Sequence, residues 1–195
     1  RPDQLGDSRG RGVTAVALSS VPVDLRPLVD NDVDAVLALD ARVHPNTWSS
    51  GFLRSQLADP TTRTNLVAEV DGQLVGHAAL LVVVDEGHVI SVTVDPDRKR
   101  SGIGTVLMAA LCRDALVRGL SALTLEVRVS NEPAIGLYQR FGFAPAGIRK
   151  GYYADSVVGG REDALVMWAH DIADPAFSNR VDGAINRAGG GSTDG

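Results

Sequence analysis

Residues 91–112 read SVTVDPDRKRSGIGTVLMAALC, and the hydrophobic period changes inside this run. Up to Val94 the side chains alternate in the period of two that is typical of a β-strand. From Ile103 the apolar residues follow the i, i+3, i+4, i+7 spacing of an amphipathic helix. An Asp-Pro turn ends the strand, and Gly102 and Gly104 open the helix. The run therefore predicts a strand, a short loop and a helix in direct succession.

The loop between this strand and this helix has the features of an anion site. A glycine-containing turn at a helix start aims backbone N–H groups and the positive end of the helix dipole at an anion. Gly102 and Gly104 have no Cβ to block a phosphate, and Arg98, Lys99 and Arg100 add positive charge. The alternative is a basic, solvated turn whose glycines serve only the backbone geometry. The third glycine of G-x-G-x-x-G and the Walker lysine are both missing, which disfavours nicotinamide and nucleoside-triphosphate sites.

The segments on both sides predict an α/β fold with a mixed sheet. The clearest hairpin is centred on Asp71-Gly72, a pair suited to the positive φ angles of a two-residue type I′ turn. Apolar periods and capping residues place the remaining elements in the order β-β-β and then β-α-β-α-β, with two short helices after the first strand. We expect strands at 21–26, 66–70, 73–84, 88–94, 123–129 and 164–169, and helices from 33, from 49, at 102–119 and at 131–141.

The composition limits the classes of protein to which the chain can belong. The chain has 195 residues, 44% of them hydrophobic, which is enough for one core without disulfides or metals. The net charge of -5 disfavours a broad basic face, so we expect no direct nucleic-acid partner. The most apolar stretch, Leu74–Val84, is about half as long as a membrane span, so we expect no membrane partner. The single cysteine, Cys112, forms no internal disulfide, and no signal peptide is recognisable, which predicts a cytoplasmic location.

Both ends of the chain are predicted to be poorly ordered. Residues 1–20 mix Arg, Gly, Asp and Ser without an apolar period, and residues 173–195 end in GGGSTDG. We therefore expect one working domain, residues 21–172, between a disordered N-terminal extension and a disordered C-terminal tail.

The strand, the Asp-Pro turn, the basic residues and the Gly-x-Gly helix start resemble motif A of the GNAT superfamily of N-acetyltransferases. The resemblance implies a loop that holds the pyrophosphate of acetyl-CoA, and a mixed sheet of about six to seven strands, splayed in the middle and flanked by about four helices. It also implies that the backbone of Val92, Thr93 and Val94 holds the pantetheine arm and the acetyl carbonyl. Where the superfamily has Gln or Arg three residues before the first glycine, this chain has Lys99. The implied pyrophosphate site comprises Lys99, Arg100, Ser101, Gly102, Ile103, Gly104 and Thr105.

A second block, LEVRVSN at 125–131 followed by AIGLY at 134–138, FGF at 141–143 and Tyr152-Tyr153, is similar to the RimI branch of that superfamily. Members of this branch acetylate the N-terminal alanine of the eighteenth protein of the small ribosomal subunit. The resemblance covers about residues 24–171. It implies that Glu126 is the general base, that Asn131 contacts the cofactor and that Tyr138 is the general acid.

Each of these residues has a plain structural alternative. Glu126 would otherwise be a strand glutamate that faces solvent or pairs with Arg128. Tyr138 would otherwise be a core aromatic, and Asn131 a helix cap. The residue types nonetheless suit amine acetylation, because an amine must lose a proton before it attacks a thioester, and the departing thiolate needs a proton or a hydrogen bond. Cys112 lies mid-helix and is predicted to be inert, which argues against an acetyl-cysteine intermediate.

Four residues are candidates for contact with the acceptor: Trp48, Glu86, Tyr152 and Tyr153. Trp48 ends the irregular loop 44–48, which could line a substrate site, and the family's Pro-Trp-Ser reads Thr47-Trp48-Ser49 here. Glu86 lies in the turn before the central strand and could attract an ammonium group, or simply be solvated. The two tyrosines either line an acceptor channel or are edge-strand aromatics. The four histidines have no metal-ligand spacing, so we expect no metal.

Three functions fit the sequence. The leading hypothesis is transfer of acetyl from acetyl-CoA to a protein N-terminus, the alanine of a ribosomal protein as the resemblance implies. An α-amine, with a pKa near 7.8, is neutral in roughly one molecule in seven at pH 7, against roughly one in two thousand for lysine. The alternatives are a GNAT enzyme acting on lysine or on a small amine, and a non-catalytic acyl-CoA-binding sensor. Glu126 and Tyr138 together argue against the sensor, because cofactor binding alone requires neither.

Overall fold

The computed structural model describes residues 14–18, 21–44, 48–154 and 160–189. The strands are β1 Thr14–Leu18, β2 Val21–Pro27, β3 Arg63–Val70, β4 Gln73–Val83, β5 Glu86–Val94, β6 Ala122–Arg128, β7 Ala144–Ala154 and β8 Arg161–Ala169. The α-helices are α1 Val33–Val43, α2 Ser50–Leu57, α3 Ile103–Val117, α4 Glu132–Arg140 and α5 Pro175–Gly189. Short 3-10 turns precede α1 at Asp30–Asp32 and α3 at Pro96–Arg98.

Within this part of the chain the strands form one sheet of eight, in the order β1-β2-β3-β4-β5-β6-β8-β7. The β5–β6 pair is parallel, and the other described pairs are antiparallel. The β3–β4 hairpin turns at Asp71 and Gly72, whose φ angles of 52° and 74° are those of the predicted type I′ turn. The expected mixed α/β sheet is confirmed, with one strand more than the upper expectation.

Alternation along the strands separates two cores on the two faces of the sheet. Helix α3 packs on one face and buries Val106, Leu107 and Leu111 in the larger core. On the other face α1 and α2 form a smaller core that includes Val36 and Leu53. Neighbours along β3 illustrate the alternation, because Val67 joins the smaller core and Ala68 the larger. Each of these helices therefore lies with its apolar side against one face of the sheet.

The parallel pairing of β5 with β6 ends early. Only Glu86–Val89 pair with Ala122–Leu125, whereas β5 continues to Val94 and β6 to Arg128. On its other side β5 stays bonded to β4 as far as Val94, with an irregularity at Ile90, which has no partner on β4. The predicted splay in the middle of the sheet is therefore present, and it opens beside the last five residues of β5.

The predicted disorder of the tail 173–195 is wrong for residues 175–189, which form α5. Phe177, Val181 and Ala184 lie on one face of α5 and are buried in the larger core beside α3. Asp174 accepts a hydrogen bond from the backbone N–H of Ala176 at 2.7 Å and so supports the helix start. We predicted disorder for the whole tail because it ends in a Gly-rich run, and this run outweighed the apolar period before it. Residues 190–195, like the loop positions 45–47, lie outside the described residues.

Two strands were also absent from our expectations. β1 falls in the extension 1–20, predicted to be disordered, and it pairs with the edge of β2 from Thr14 opposite Leu25 to Leu18 opposite Val21. The other residues of this extension lie outside the described part. β7 contains Pro145, Gly147 and Gly151, which weaken strand propensity, and its pairing with β8 shifts register twice. No helix among the described residues is both long and apolar enough to cross a membrane.

Replacing the buried aromatic of α5 tests the docking of the tail. We expect Phe177→Ala to lower the free energy of unfolding by about 3–4 kcal/mol, because the side chain is 2% exposed and its loss leaves a cavity. Urea denaturation followed by circular dichroism measures the change. Phe52→Ala is the control, since Phe52 is 44% exposed and its truncation should cost less than about 1 kcal/mol. Equal, small effects of the two substitutions would contradict the docked helix.

Candidate active site

The glycine loop lies where sequence reasoning placed it, between the Pro96–Arg98 turn and the start of α3. Gly102 is the N-cap of α3 with a φ of 86°, a left-handed conformation that glycine adopts without strain. No side chain caps the helix at this residue. Because the first N–H groups of an α-helix have no partner within the helix, those of Ile103, Gly104 and Thr105 remain available to an anion.

The base of this loop is tied to α1. Arg42 donates to Asp95 at 2.8 Å and to Asp97 at 2.7 Å, and Asp95 accepts a further bond from the backbone N–H of Asp97 at 2.9 Å. Ser101 donates its hydroxyl to the carbonyl of Arg98 at 2.6 Å. Lys99 and Arg100 are exposed, and Arg100 has a φ of 62°. The acidic groups at the base are thus paired with Arg42, and two basic side chains extend from the loop into solvent.

The end of β5 meets the loop and α4. Beyond Val89 the side of β5 that faces β6 is no longer paired with it, so the backbone N–H and C=O groups that point to this side between Ile90 and Val94 are open to an extended ligand. A Cβ placed on Gly104 would lie 3.6 Å from Val94 Cγ2 and 3.4 Å from Leu137 Cδ2. The start of α3, the end of β5 and the middle of α4 therefore surround one opening.

Glu126 lies on β6 where this strand diverges from β5. Leu125 and Val127 face the larger core, so Glu126 points to the opposite face, the one covered by α1. The side chain is half-buried, and its Oε1 lies 3.2 Å from a guanidinium nitrogen of Arg149 on β7. The alternative partner Arg128 instead pairs with Glu162 at 2.8 Å. Sequence reasoning missed Arg149 because β7 carries weak strand signals.

Tyr138 lies on α4 and belongs to the larger core, on the face opposite Glu126. Its side chain is buried, and its ring centroid lies 6.1 Å from that of Phe143. Burial raises the pKa of Tyr138 well above its usual value, and the nearby Tyr153 raises it further. The hydroxyl therefore keeps its proton throughout the physiological range and is available as a donor. A buried and protonated Tyr138 is compatible with a general acid and equally with a core aromatic residue.

Tyr152 and Tyr153 lie on β7 beside Glu126. The hydroxyl of Tyr153 donates to the backbone carbonyl of Glu126 at 3.1 Å, and the Arg128 guanidinium lies 4.4 Å from the Tyr153 ring centroid. Burial raises the pKa of Tyr153 to about 12, with Tyr152 and Glu126 adding to the effect. Tyr152 is exposed and meets Tyr153 edge-on at 5.0 Å. These tyrosines line the rim of the opening on the side of β6, and they are also the predicted edge-strand aromatics.

Glu86 is not part of this group, and its contact with the acceptor stays a prediction. It begins β5 and pairs with Ala122, at the end of the sheet opposite the opening. Its carboxylate lies 3.7 Å from His88 Nε2. Four steps along β5 separate Glu86 from Ile90, where the unpaired edge begins, and correspond to about 13 Å. The sequence located the turn correctly, but could not show which end of the strand faces the site.

The remaining predicted residues have local roles that the structure makes visible. Asn131 caps α4, accepting from the backbone N–H of Ala134 at 3.3 Å, and it is exposed, so capping leaves a cofactor contact possible. Cys112 is fully buried, and burial raises the pKa of its thiol, consistent with the inert thiol we expected. Among residues 14–18, 21–44, 48–154 and 160–189, no group of three or more His, Cys, Asp or Glu side chains is placed to hold a metal ion.

Sequence reasoning missed a chain of polar side chains between α1 and β5. The carboxylate Oδ1 of Asp40 lies 2.7 Å from His77 Nε2 and accepts the hydroxyl of Thr93 at 3.1 Å. Thr93 Oγ1 in turn lies 3.2 Å from His44 Nε2 and 3.2 Å from Ser91 Oγ. Asp40, His77 and Thr93 are buried. The one signal in the sequence was polar residues at core-facing positions of otherwise apolar elements.

Trp48 covers this polar chain. Its ring centroid lies 6.2 Å from that of His77 and 5.3 Å from that of Phe52, both in edge-on arrangements. Ser49 then caps α2 by accepting from the backbone N–H of Phe52 at 3.1 Å, as predicted. Trp48 itself therefore lies over the polar chain on the α1 face of the sheet.

The chain is similar to known acetyltransferases over most of its length. Residues 33–143 match the Acetyltransferase (GNAT) family. The [ribosomal protein bS18]-alanine N-acetyltransferase of Escherichia coli K12 is 36% identical over 140 residues, which cover 72% of this chain and 92% of that protein. An N-alpha-acetyltransferase of Sulfurisphaera tokodaii is 34% identical over 151 residues, covering 71% of this chain and 87% of that one.

A solved structure gives the same result. The crystal structure of the ribosomal-protein-S18-alanine N-acetyltransferase from Escherichia coli has a TM-score of 0.69 and 34% sequence identity, covering 76% of this chain and 94% of that one. The glycine loop, the open end of β5 and the residues on both of its sides are thus found in a chain that is similar to N-acetyltransferases in sequence and in structure. The protein belongs to the GNAT family of acetyltransferases.

Proposed function

We propose that this N-acetyltransferase moves the acetyl group of acetyl-CoA to the N-terminal α-amine of a protein, and that its acceptor is the alanine N-terminus of a small-subunit ribosomal protein. The observation that carries the proposal is the opening at the end of β5, with Glu126 on one face of the sheet and Tyr138 on the other. The name of the Escherichia coli relative, which acts on the alanine of ribosomal protein bS18, supports the choice of acceptor.

Acetyl-CoA fits the elements around the opening. The pyrophosphate would take the free N–H groups at the start of α3, with Lys99 and Arg100 supplying positive charge. The pantetheine arm carries amides, so it can bond the open backbone of Val92 to Val94 as an added strand would. Asn131, exposed at the start of α4, would meet the cofactor from the third side.

The reaction removes two protons from the acceptor nitrogen. An α-ammonium must lose one before its lone pair can attack the thioester carbon, and the tetrahedral intermediate must lose the second before the C–S bond breaks. Glu126 would take a proton directly or through a water. Tyr138 would donate to the departing thiolate, since it remains protonated in its buried position. No covalent acetyl-enzyme is needed, because both substrates meet in one opening.

The acceptor class is tested with two matched peptides. One carries a free N-terminal alanine and a blocked lysine, and the other a blocked N-terminus and a free lysine. We expect acetylation, followed by mass spectrometry with acetyl-CoA in excess, on the first peptide only. The larger neutral fraction of an α-amine at pH 7 is the physical reason. Acetylation of the lysine alone would contradict the proposed acceptor, and binding of acetyl-CoA without any transfer would indicate a sensor.

Replacing the proposed base tests the mechanism. We expect Glu126→Gln to lower kcat by about 10²–10⁴-fold while the Kd for acetyl-CoA changes little, because the amide keeps the shape but does not accept a proton. Stopped assays of kcat and calorimetry of cofactor binding measure the two quantities. Glu86→Gln on the far end of β5 is the control and should retain wild-type kcat. A Glu126→Gln variant with wild-type turnover would remove Glu126 as the base.

Adding one methyl group tests the phosphate loop. A Cβ on Gly104 meets only ordinary contacts in the free protein, at 3.4 Å and 3.6 Å, and alanine favours a helix over glycine. We therefore expect Gly104→Ala to fold with equal or higher stability yet to weaken acetyl-CoA by about tenfold, roughly 1.4 kcal/mol. Gly51→Ala, on α2 with no atom near the added methyl, is the control. Unchanged affinity in Gly104→Ala would place the pyrophosphate elsewhere.

A further inference from the structure

His44 lies beside Thr93, the residue that belongs both to the polar chain on the α1 face and to the open end of β5. It follows the last residue of α1, and its backbone N–H is held by the carbonyl of Asp40 at 2.7 Å. Its ring nitrogen Nε2 lies 3.2 Å from the hydroxyl of Thr93. Thr93 is the middle residue of the strand end that would hold the acetyl group. His44 is therefore adjacent to the place where the acceptor nitrogen must arrive.

The hydrogen bonds fix which nitrogen of His44 carries the proton. The hydroxyl of Thr93 donates its proton to the carboxylate of Asp40, which is a stronger acceptor than an imidazole nitrogen. Thr93 can then only accept from His44, so Nε2 carries the hydrogen and Nδ1 keeps its lone pair. No described residue forms a hydrogen bond with Nδ1 of His44. Within the described part of the chain, the lone pair on Nδ1 therefore has no hydrogen-bond partner.

The charges around His44 keep the ring neutral and still allow it to take a proton. Burial of the ring lowers the pKa of His44, and His77 on β4 and Arg128 on β6 lower it further. Asp40 on α1 opposes them, and it is joined to the ring through Thr93. A proton on Nδ1 would make the ring a cation stabilised by Asp40 through this chain.

Unlike Nδ1 of His44, the carboxylate of Glu126 already has a partner among the described residues. Its Oε1 already lies 3.2 Å from a guanidinium nitrogen of Arg149, so one carboxylate oxygen is engaged in the free protein. The acetylation of an ammonium releases two protons from nitrogen, of which one ends on the CoA sulfur and one leaves to solvent. His44 and Glu126 are two proton acceptors on the same face of the sheet, one for each of these two protons.

We propose that His44 accepts, on Nδ1, the first proton of the acceptor α-ammonium, and that Thr93 and Asp40 position it for this step. The neutral amine attacks the acetyl carbonyl carbon, Glu126 takes the second proton from the resulting intermediate, and the C–S bond breaks as the thiolate receives a proton from Tyr138. The protons on His44 and Glu126 pass to solvent and Tyr138 regains one from solvent, so one proton is released overall. This proposal rests on the proposed acetyl transfer and adds a second base to it.

The pH dependence of the variant His44→Gln tests the proposal. The amide of Gln can still donate to Thr93 but does not accept a proton, so the polar chain is kept while the base is removed. In the wild type kcat/KM should fall as the pH drops and His44 becomes protonated, because a cationic ring has no lone pair to offer. We expect the acidic limb of His44→Gln to move up to the pKa of the α-amine, near 7.8, and kcat/KM for the alanine peptide at pH 7 to fall by about sevenfold, because only the neutral fraction of the amine then reacts.

The alkaline end of the profile separates the two bases. At pH 9 an α-amine with a pKa near 7.8 is already mostly neutral, so the deficit of His44→Gln should shrink to within about threefold. The deficit of Glu126→Gln should persist at pH 9, because the second proton must still leave. Acetyl-CoA affinity should be unchanged in both variants. His170→Gln is the control and should keep the wild-type profile, because His170 follows the end of β8, where Ala169 pairs with Leu123 near the start of β6.

The other possible results also test the role of His44 and the proposed function. A wild-type acidic limb in His44→Gln, with activity within about threefold at pH 7, would overturn the role of His44 while leaving the proposed function intact. A deficit that is equal at pH 7 and pH 9 would show a structural effect and would also overturn it. If the wild type acetylates only the lysine peptide, the proposed acceptor is wrong, and the same variants measured on that peptide still judge His44. If the wild type acetylates neither peptide, both proposals fall.

The tautomer gives a readout without turnover. Nitrogen-15 spectra of labelled histidine should show His44 protonated on Nε2 and unprotonated on Nδ1 at pH 7.5. A ring protonated on Nδ1 would overturn the proposal, because the nitrogen that faces away from Thr93 would then have no lone pair.

Discussion

The early end of the β5–β6 pairing is the constraint on which the rest of the site depends. A strand inside a sheet normally satisfies its backbone on both sides, and β5 does so only as far as Val89. From there to Val94 one side remains bonded to β4 and the other is open. An extended ligand with amide groups satisfies such an edge as a neighbouring strand would. The chain that leaves β5 at this end then forms the glycine loop and α3, so the phosphate site and the open edge share one location.

The two faces of the opening have different chemistry because alternation along β5 and β6 sorts their side chains. Val92 and Val94 pack towards the larger core together with Tyr138, so this face is dry and suits a neutral phenol. Thr93 and Glu126 point to the other face, where α1 brings polar groups instead of apolar ones. The proposed proton donor for the thiolate and the proposed proton acceptors for the amine thus lie on opposite faces of the sheet, beside the same opening.

Ion pairs place charge locally in a chain that is acidic as a whole. Arg42 neutralises Asp95 and Asp97 beneath the glycine loop, so the charge that extends from the loop is positive. On the opposite rim Arg128 and Arg149 pair with Glu162 and Glu126. The exposed pairs add little to stability, since solvent screens them. Their effect is on geometry, because each one connects two elements that border the opening.

The sequence by itself determined the elements whose signals are local. The change of period at the glycine loop, the Asp71-Gly72 turn and the Ser49 and Asn131 caps each depend on residues within a few positions of one another, and all are present in the structure. The resemblance to a known family predicted catalytic roles for Glu126 and Tyr138, and these roles stay predictions. The apolar period of α5 was also readable, but the Gly-rich end beside it concealed it.

Only the tertiary structure decided which distant residues meet. Thr93 and Asp40 are 53 positions apart in the chain, and His77 and Asp40 are 37 apart. Arg149 lies beside Glu126 because β8 brings β6 and β7 into one sheet, whereas Glu86 lies four residues before the unpaired part of β5. The period of a strand predicts that its side chains alternate between two faces. Register and strand order, which no local pattern encodes, decide what each face meets.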